Sequence, residues 1–147
     1  MGVMTLKSPI LTVFGLGMLA AATMYAQGPA APATTNDAVF TDAQAKRGEE
    51  LYQQQCSSCH DAQLTGSGTA PALTGADFNA NWKDETLATF SDRIRTTMPA
   101  DNPGSLNRQQ ASDIVAFILG FNKYPAGQSE LTSDAEALKA IKIAPAK

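Results

Sequence analysis

Apolar residues recur at helical spacing in three stretches of this chain, and no stretch alternates like a half-buried strand. In the first, Gly48 and Tyr52 lie four apart on one face with Leu51 beside them. Thr41 can cap that helix, Gln44 can reach back to complete a capping box, and Phe40 precedes the cap as a staple residue. These signals predict a helix running to about Gln55. The second stretch is headed by Asp84 and Glu85 and carries Leu87, Phe90 and Ile94 on one face, with Asp92, Arg93 and Arg95 pointing elsewhere. Pro99 stops it, and Pro103-Gly104 makes a turn. The third opens at Asn107 with Gln110 in the capping-box position. Its stripe is Ala111, Ile114, Val115, Ile118 and Leu119, and Gly120 is expected as the C-terminal cap. Ser133 and Glu136 fit one more capping box, so a short helix edged by Leu138 and Ile141 is expected there. The loop Gly66 to Leu73, rich in Gly, Ser, Thr and Pro, separates the first two stretches. The pattern predicts an all-α chain without internal repeats.

The first residues have a different pattern. Lys7 precedes an apolar run from Ile10 to Ala22, and small residues come next. This order predicts a secretory signal peptide over residues 1–26, with cleavage after Ala22 or Ala26. An uncleaved anchor is the alternative, since residues 9–26 form a marginal span that Gly15, Gly17 and Thr23 weaken. Residues 27–38 read as a flexible linker. The rest of the chain suffices for one small domain: a folded domain over 39–125 and a C-terminal extension over 126–147. The net charge is −3, and loss of Lys7 with the leader makes the balance more acidic. That argues against nucleic acid and against an anionic membrane surface as partners. Membrane contact is expected only if the N-terminal segment is retained.

The chemistry is concentrated in Cys56-Ser57-Ser58-Cys59-His60. Two thiols three positions apart can each add across a vinyl group of one porphyrin, and a histidine directly after the second can ligate the iron. A redox dithiol and half of a zinc site are the competing readings. The chain holds 2 Cys and 1 His, so nothing remains to complete a zinc site. A dithiol oxidoreductase expects a βαβ context, whereas a polar helix precedes Cys56. The motif therefore points to one covalently attached haem c, with its iron on His60, and to an exported protein located in the periplasm.

Elimination narrows the second axial ligand. With His60 the single histidine, bis-His ligation within one chain is excluded. Met1, Met4, Met18 and Met24 all lie in the leader, which leaves Met98 in Thr96-Thr97-Met98-Pro99, where a helix breaks into a loop. A core-filling methionine, ligation by Lys83 or Lys123, and a vacant sixth position are the alternatives. Thioether ligation favours Fe(II) and raises the reduction potential, as suits a one-electron carrier.

These residues resemble the small class I cytochromes c, from roughly Asp42 to Tyr124, with CxxCH near the front and a Met-Pro ligand loop late. The resemblance implies three to five helices wrapped around one covalently bound haem. It implies that Gly48 and Tyr52 meet Ile114 and Phe117 where the first and last helices cross. It also gives Pro71 the role of holding the proximal imidazole N–H through its carbonyl. Ala70-Pro71-Ala72-Leu73, Phe78 with Trp82, and Arg95 to Pro99 together with Asn102 to Leu106 are similar to a narrower group. That group comprises cytochrome subunits and domains accepting electrons from periplasmic quinoprotein (PQQ-dependent) dehydrogenases. The implied partners are such a donor on a separate chain and a downstream cytochrome or terminal oxidase. Trp82 and Arg95 are candidates for the haem propionates, against rim packing for Trp82 and a solvated helix face for Arg95.

The function expected is electron transfer, without catalysis of its own. A haem peroxidase or gas-binding sensor is the alternative, requiring a labile sixth ligand and distal acid–base groups that the chain lacks in histidine form. An exported thiol–disulfide protein without haem is the third.

Overall fold

The computed structural model describes residues 1–2 and 34–147, so most of the expected leader and most of the expected linker lie outside the described residues. The described chain is all-α. Its elements are α1 (Asp42–Gln55), α2 (Ser57–His60), α3 (Gly75–Trp82), α4 (Leu87–Thr97), α5 (Arg108–Phe121) and α6 (Ala135–Lys139). Four of these have eight residues or more, and α2 and α6 are about one turn each. Among the described residues no strand forms, only isolated bridges. No described helix is long and apolar enough to cross a membrane.

Caps set the helix starts. Thr41 caps α1 by accepting from the Gln44 N–H at 3.1 Å. The reciprocal bond does not form, because the Gln44 side chain is buried elsewhere. Helix α4 begins two residues later than the acidic pair suggests. Asp84 takes φ 70° and Thr86 caps instead, accepting from the Thr89 N–H at 3.2 Å. Asn107 and Gln110 make both bonds of a capping box at the head of α5. Asp134, not Ser133, caps α6 through the Ala137 N–H at 2.8 Å. Gly120 lies inside α5, which runs to Phe121 and is capped at Asn122. Lys123 supplies the left-handed residue, φ 68°.

Helices α1 and α5 cross at Gly48. A Cβ there would fall 1.8 Å from the Asp113 carbonyl oxygen and 3.0 Å from the Phe117 Cβ, so only glycine permits this approach. One turn on, Tyr52 and Phe117 pack with ring centroids 5.1 Å apart. The expected meeting of Gly48 and Tyr52 with the last helix is therefore present. Phe78, Phe90 and Trp82 form a second aromatic cluster joining α3 to α4.

Helix α3 has no counterpart in the helical pattern of the sequence. It is short, and its glycine and asparagines obscure the Phe78/Trp82 pair, which is its one i,i+4 apolar signal. The C-terminal residues also do more than extend a finished domain. Residues 34–147 belong to one compact unit. Leu131, Leu138, Ile141 and Ile143 are all buried within it. The segment after α6 runs between two others: Ile143 exchanges main-chain bonds with Asp84 and Glu85, and the Thr35 N–H donates to the Lys142 carbonyl. Thr34 to Asp37, the end of the expected linker, is tied down by this tail through Thr35 and Asn36.

Candidate functional site

The CxxCH segment is delivered by the end of α1. The Cys56 N–H closes α1 on the Tyr52 carbonyl at 2.8 Å, and the chain turns at once into α2. The Cys59 and His60 N–H groups both return to the Cys56 carbonyl, at 3.2 and 2.9 Å. Positions 56, 59 and 60 are thus i, i+3 and i+4 on one helical turn, which gathers both thiols and the imidazole on one side. The thiols are not joined as a disulfide; Cys56 is half-buried and Cys59 exposed. Burial, and then the neighbouring Cys59, push the Cys56 thiol up to about 11, so it stays protonated near neutrality.

The imidazole is fixed by the loop after α2. His60 is buried, and its Nδ1 lies 2.9 Å from the Pro71 carbonyl oxygen. A carbonyl offers only lone pairs, so Nδ1 must carry the proton and donate. The other nitrogen, Nε2, is then the basic one and has no partner among the described residues. That is the state a ligating histidine requires.

Several contacts aim the Pro71 carbonyl. The Gly66 N–H donates to the His60 carbonyl at 2.9 Å, Ser67 and Ala70 bond each other, and the Leu73 N–H reaches the Leu64 carbonyl at 2.8 Å. Gly66 has φ +75°, and a Cβ there would sit 2.5 Å from the Ala70 oxygen. Nothing in the sequence distinguishes it, since it is one glycine in a loop rich in small residues. Asn122 anchors the far end, donating to the Leu73 carbonyl at 2.9 Å and accepting from the Gly75 N–H at 3.0 Å.

Tyr52 backs the site from below. Its hydroxyl donates to the Asp61 carbonyl at 2.8 Å, and burial holds the phenol protonated well above its ordinary range. Met98 is the C-terminal cap of α4, its N–H on the Ile94 carbonyl at 3.2 Å, with a half-buried side chain. Trp82 is half-buried against Phe90, centroids 4.4 Å apart, and its indole N–H has no partner among the described residues. Arg95 is placed differently. Its guanidinium bonds Asp92 at 2.7 Å and lines a groove between α4 and α6. The sequence could not foresee that groove, because its second wall is the C-terminal helix.

The residues of the CxxCH turn fit a covalently held haem: two unbridged thiols and an oriented imidazole with a free Nε2. They do not fit zinc or another cluster-held ion. Among the described residues no group of three or more His, Cys, Asp or Glu side chains could hold a metal.

The match to a known family agrees. The family described as cytochrome c oxidase, cbb3-type, subunit III matches residues 43–118, more than half of the chain and nearly all of α1 to α5. The thiosulfate dehydrogenase of Allochromatium vinosum is 36% identical over 81 residues, covering 49% of this chain and 29% of that protein. The chain thus spans less than a third of that curated relative. Among solved structures, the sulfane dehydrogenase SoxCD of Paracoccus pantotrophus gives a TM-score of 0.49 at 18% identity. That alignment covers 74% of this chain and 62% of that one. With a CxxCH turn at its centre and a family match over its crossing helices, the chain is a cytochrome c-type electron-transfer domain with covalently bound haem c, and it belongs to the cbb3-type subunit III cytochrome family.

Proposed function

We propose that the protein is an exported, periplasmic one-electron carrier with His60 and Met98 as axial ligands and Cys56 and Cys59 as thioether anchors. The observation that carries this reading is the His60 Nδ1 contact with the Pro71 carbonyl at 2.9 Å, which leaves Nε2 for iron. When bound, the haem supplies a one-electron Fe(III)/Fe(II) couple, whose potential a thioether ligand raises. The rest of the work falls to the chain. Met98 is the one methionine between Thr34 and Lys147, and its main chain is fixed by the last turn of α4. Trp82, with its free indole N–H, is the donor assigned to a propionate. Arg95 is already engaged by Asp92, so it has the weaker claim to the other. Loss of low-spin character in Met98→Ala is the test of ligation.

The donor we assign is a quinoprotein dehydrogenase on a separate chain, and the acceptor a downstream cytochrome or terminal oxidase. The motifs Ala70 to Leu73 and Arg95 to Leu106 support this assignment. The 36% identity to a protein named thiosulfate dehydrogenase favours a second donor class, the sulfur-compound dehydrogenases. Stopped-flow reduction of the ferric protein separates them. Fast reduction by a quinoprotein dehydrogenase turning over its alcohol or sugar supports the first class. Reduction only by a thiosulfate-oxidising enzyme overturns it.

A further inference from the structure

Helix α5 closes on main-chain bonds. The Lys123 N–H returns to the Gly120 carbonyl at 3.0 Å and the Tyr124 N–H to the Leu119 carbonyl at 3.1 Å, with Lys123 left-handed at φ 68°. This pair of bonds is a complete C-terminal cap. The Asn122 N–H is spent on the Ile118 carbonyl at 3.1 Å. The Asn122 side chain is therefore not needed to stop the helix, yet it makes three hydrogen bonds. Nδ2 donates to the Ile118 and Leu73 carbonyls, both at 2.9 Å, and Oδ1 accepts from the Gly75 N–H at 3.0 Å. Two of the three leave α5 for the end of the loop that carries Pro71.

Pro71 has no N–H with which to fix its own position. The direction of its carbonyl, which faces His60 Nδ1 at 2.9 Å, depends on its neighbours. Upstream, Ser67 and Ala70 exchange main-chain bonds within the loop itself. Downstream, Leu73 is held on both sides: its N–H meets the Leu64 carbonyl at 2.8 Å, and its carbonyl meets Asn122. Among the described residues, two side chains from other helices bond this loop. Tyr52 of α1 takes the Asp61 carbonyl at its start, and Asn122 takes the Leu73 carbonyl at its end. Thr74, which precedes α3, makes no side-chain cap, and Asn122 satisfies the Gly75 N–H instead. On the Pro71 side of the imidazole contact, the tie to the helical frame is thus one carboxamide.

We propose that Asn122 is a positioning residue for the haem iron: by fixing Leu73 it aims the Pro71 carbonyl at His60 Nδ1 and so lowers the reduction potential. The inference rests on ligation of the iron by His60. A well-aimed carbonyl draws on the Nδ1 proton, makes Nε2 the stronger donor and favours Fe(III). Without the clamp Pro71 turns more freely, the imidazole donates less, and Fe(II) gains. Asn122 bonds none of Cys56, Cys59, His60 or Met98, and it acts only through Leu73 and Pro71.

The test is the midpoint potential of the haem-loaded protein beside Asn122→Leu and Asn122→Ala, with Gln44→Ala as the control for lost stability. Asn122 is half-buried and Gly75 exposed, so water can reach the groups released, and Asn122→Leu also keeps the side-chain volume. Both variants should shift the ferric/ferrous equilibrium toward Fe(II) by about threefold or more, a rise of roughly 28 mV for one electron. Exchange of the His60 Nδ1 proton with solvent, followed by NMR in the ferrous protein, should quicken at least about tenfold. Gln44→Ala, whose lost bonds lie on Asp113 and Leu131, should move neither reading. Asn122 variants with unchanged potential and exchange, in a protein whose imidazole ligation is intact, overturn the inference alone. Equal shifts in Gln44→Ala also overturn it, because lost stability then accounts for them. An unsubstituted protein without an axial imidazole overturns the ligand assignment and the inference together.

Discussion

A single buried carboxamide joins three segments of the chain. Gln44 donates through Nε2 to Asp113 Oδ1 at 3.1 Å and to the Leu131 carbonyl at 3.0 Å, and its Oε1 accepts from the Leu131 N–H at 2.6 Å. Asp113 in turn accepts from Arg47 and from Gln109, and Arg47 forks onto Glu130 at 2.9 Å. The network pins the tail to α1 and α5 through groups that water cannot replace, because Gln44 and Leu131 are almost fully buried. Gln44→Ala should therefore cost about 2–4 kcal/mol, since it strands both polar groups of Leu131 as well as losing its own bonds. Thr41→Ala removes only the cap and should cost about 1 kcal/mol. Denaturant unfolding of the haem-loaded proteins measures both, and equal losses would contradict the network. From the sequence, Gln44 reads as a capping-box residue. The partner it prefers lies 87 residues away, and no local signal announces it.

At the scale of elements, the crossing of α1 and α5 sets the position of the haem-attachment turn, since α1 ends where Cys56 begins. Gly48→Ala must push the helices apart, because its Cβ would overlap the Asp113 carbonyl. A loss of about 3 kcal/mol or more, with poor retention of haem, is expected. Gly120→Ala is the control. Its Cβ would stand 3.5 Å from the Phe40 ring, an ordinary contact, and helix propensity favours alanine by about 1 kcal/mol. Thermal melts of the two should differ in sign, or nearly so; similar destabilisation would refute this account of the crossing. The helices legible in the sequence are those with an apolar face or a capping signal: α1, α4, α5 and the short α6. Short α3 is hidden because tertiary contacts hold it. Asn122 and the aromatic pair supply what its own propensity does not.

For the molecule as a whole, the CxxCH motif makes the cofactor legible, and the structure adds the tautomer of His60 that the proposed ligation requires. The closing strap is not legible. Residues 140–147 have no periodicity of their own, and the bonds from Asp84, Glu85, Leu87 and Thr35 that recruit them are long-range. The strap ties the N-terminal segment to the head of α4, and the α1–α5 crossing holds the turn that carries Cys56, Cys59 and His60. The central claim is that Met98 completes the ligand set and makes the protein an electron carrier. The most direct measurement is the visible absorption spectrum of the purified protein, ferric and ferrous, beside that of Met98→Ala. A low-spin ferric spectrum is expected, with a weak long-wavelength iron–sulfur band that the substitution abolishes. A high-spin wild type, or one that binds carbon monoxide readily, would contradict the account and turn attention to an open sixth position.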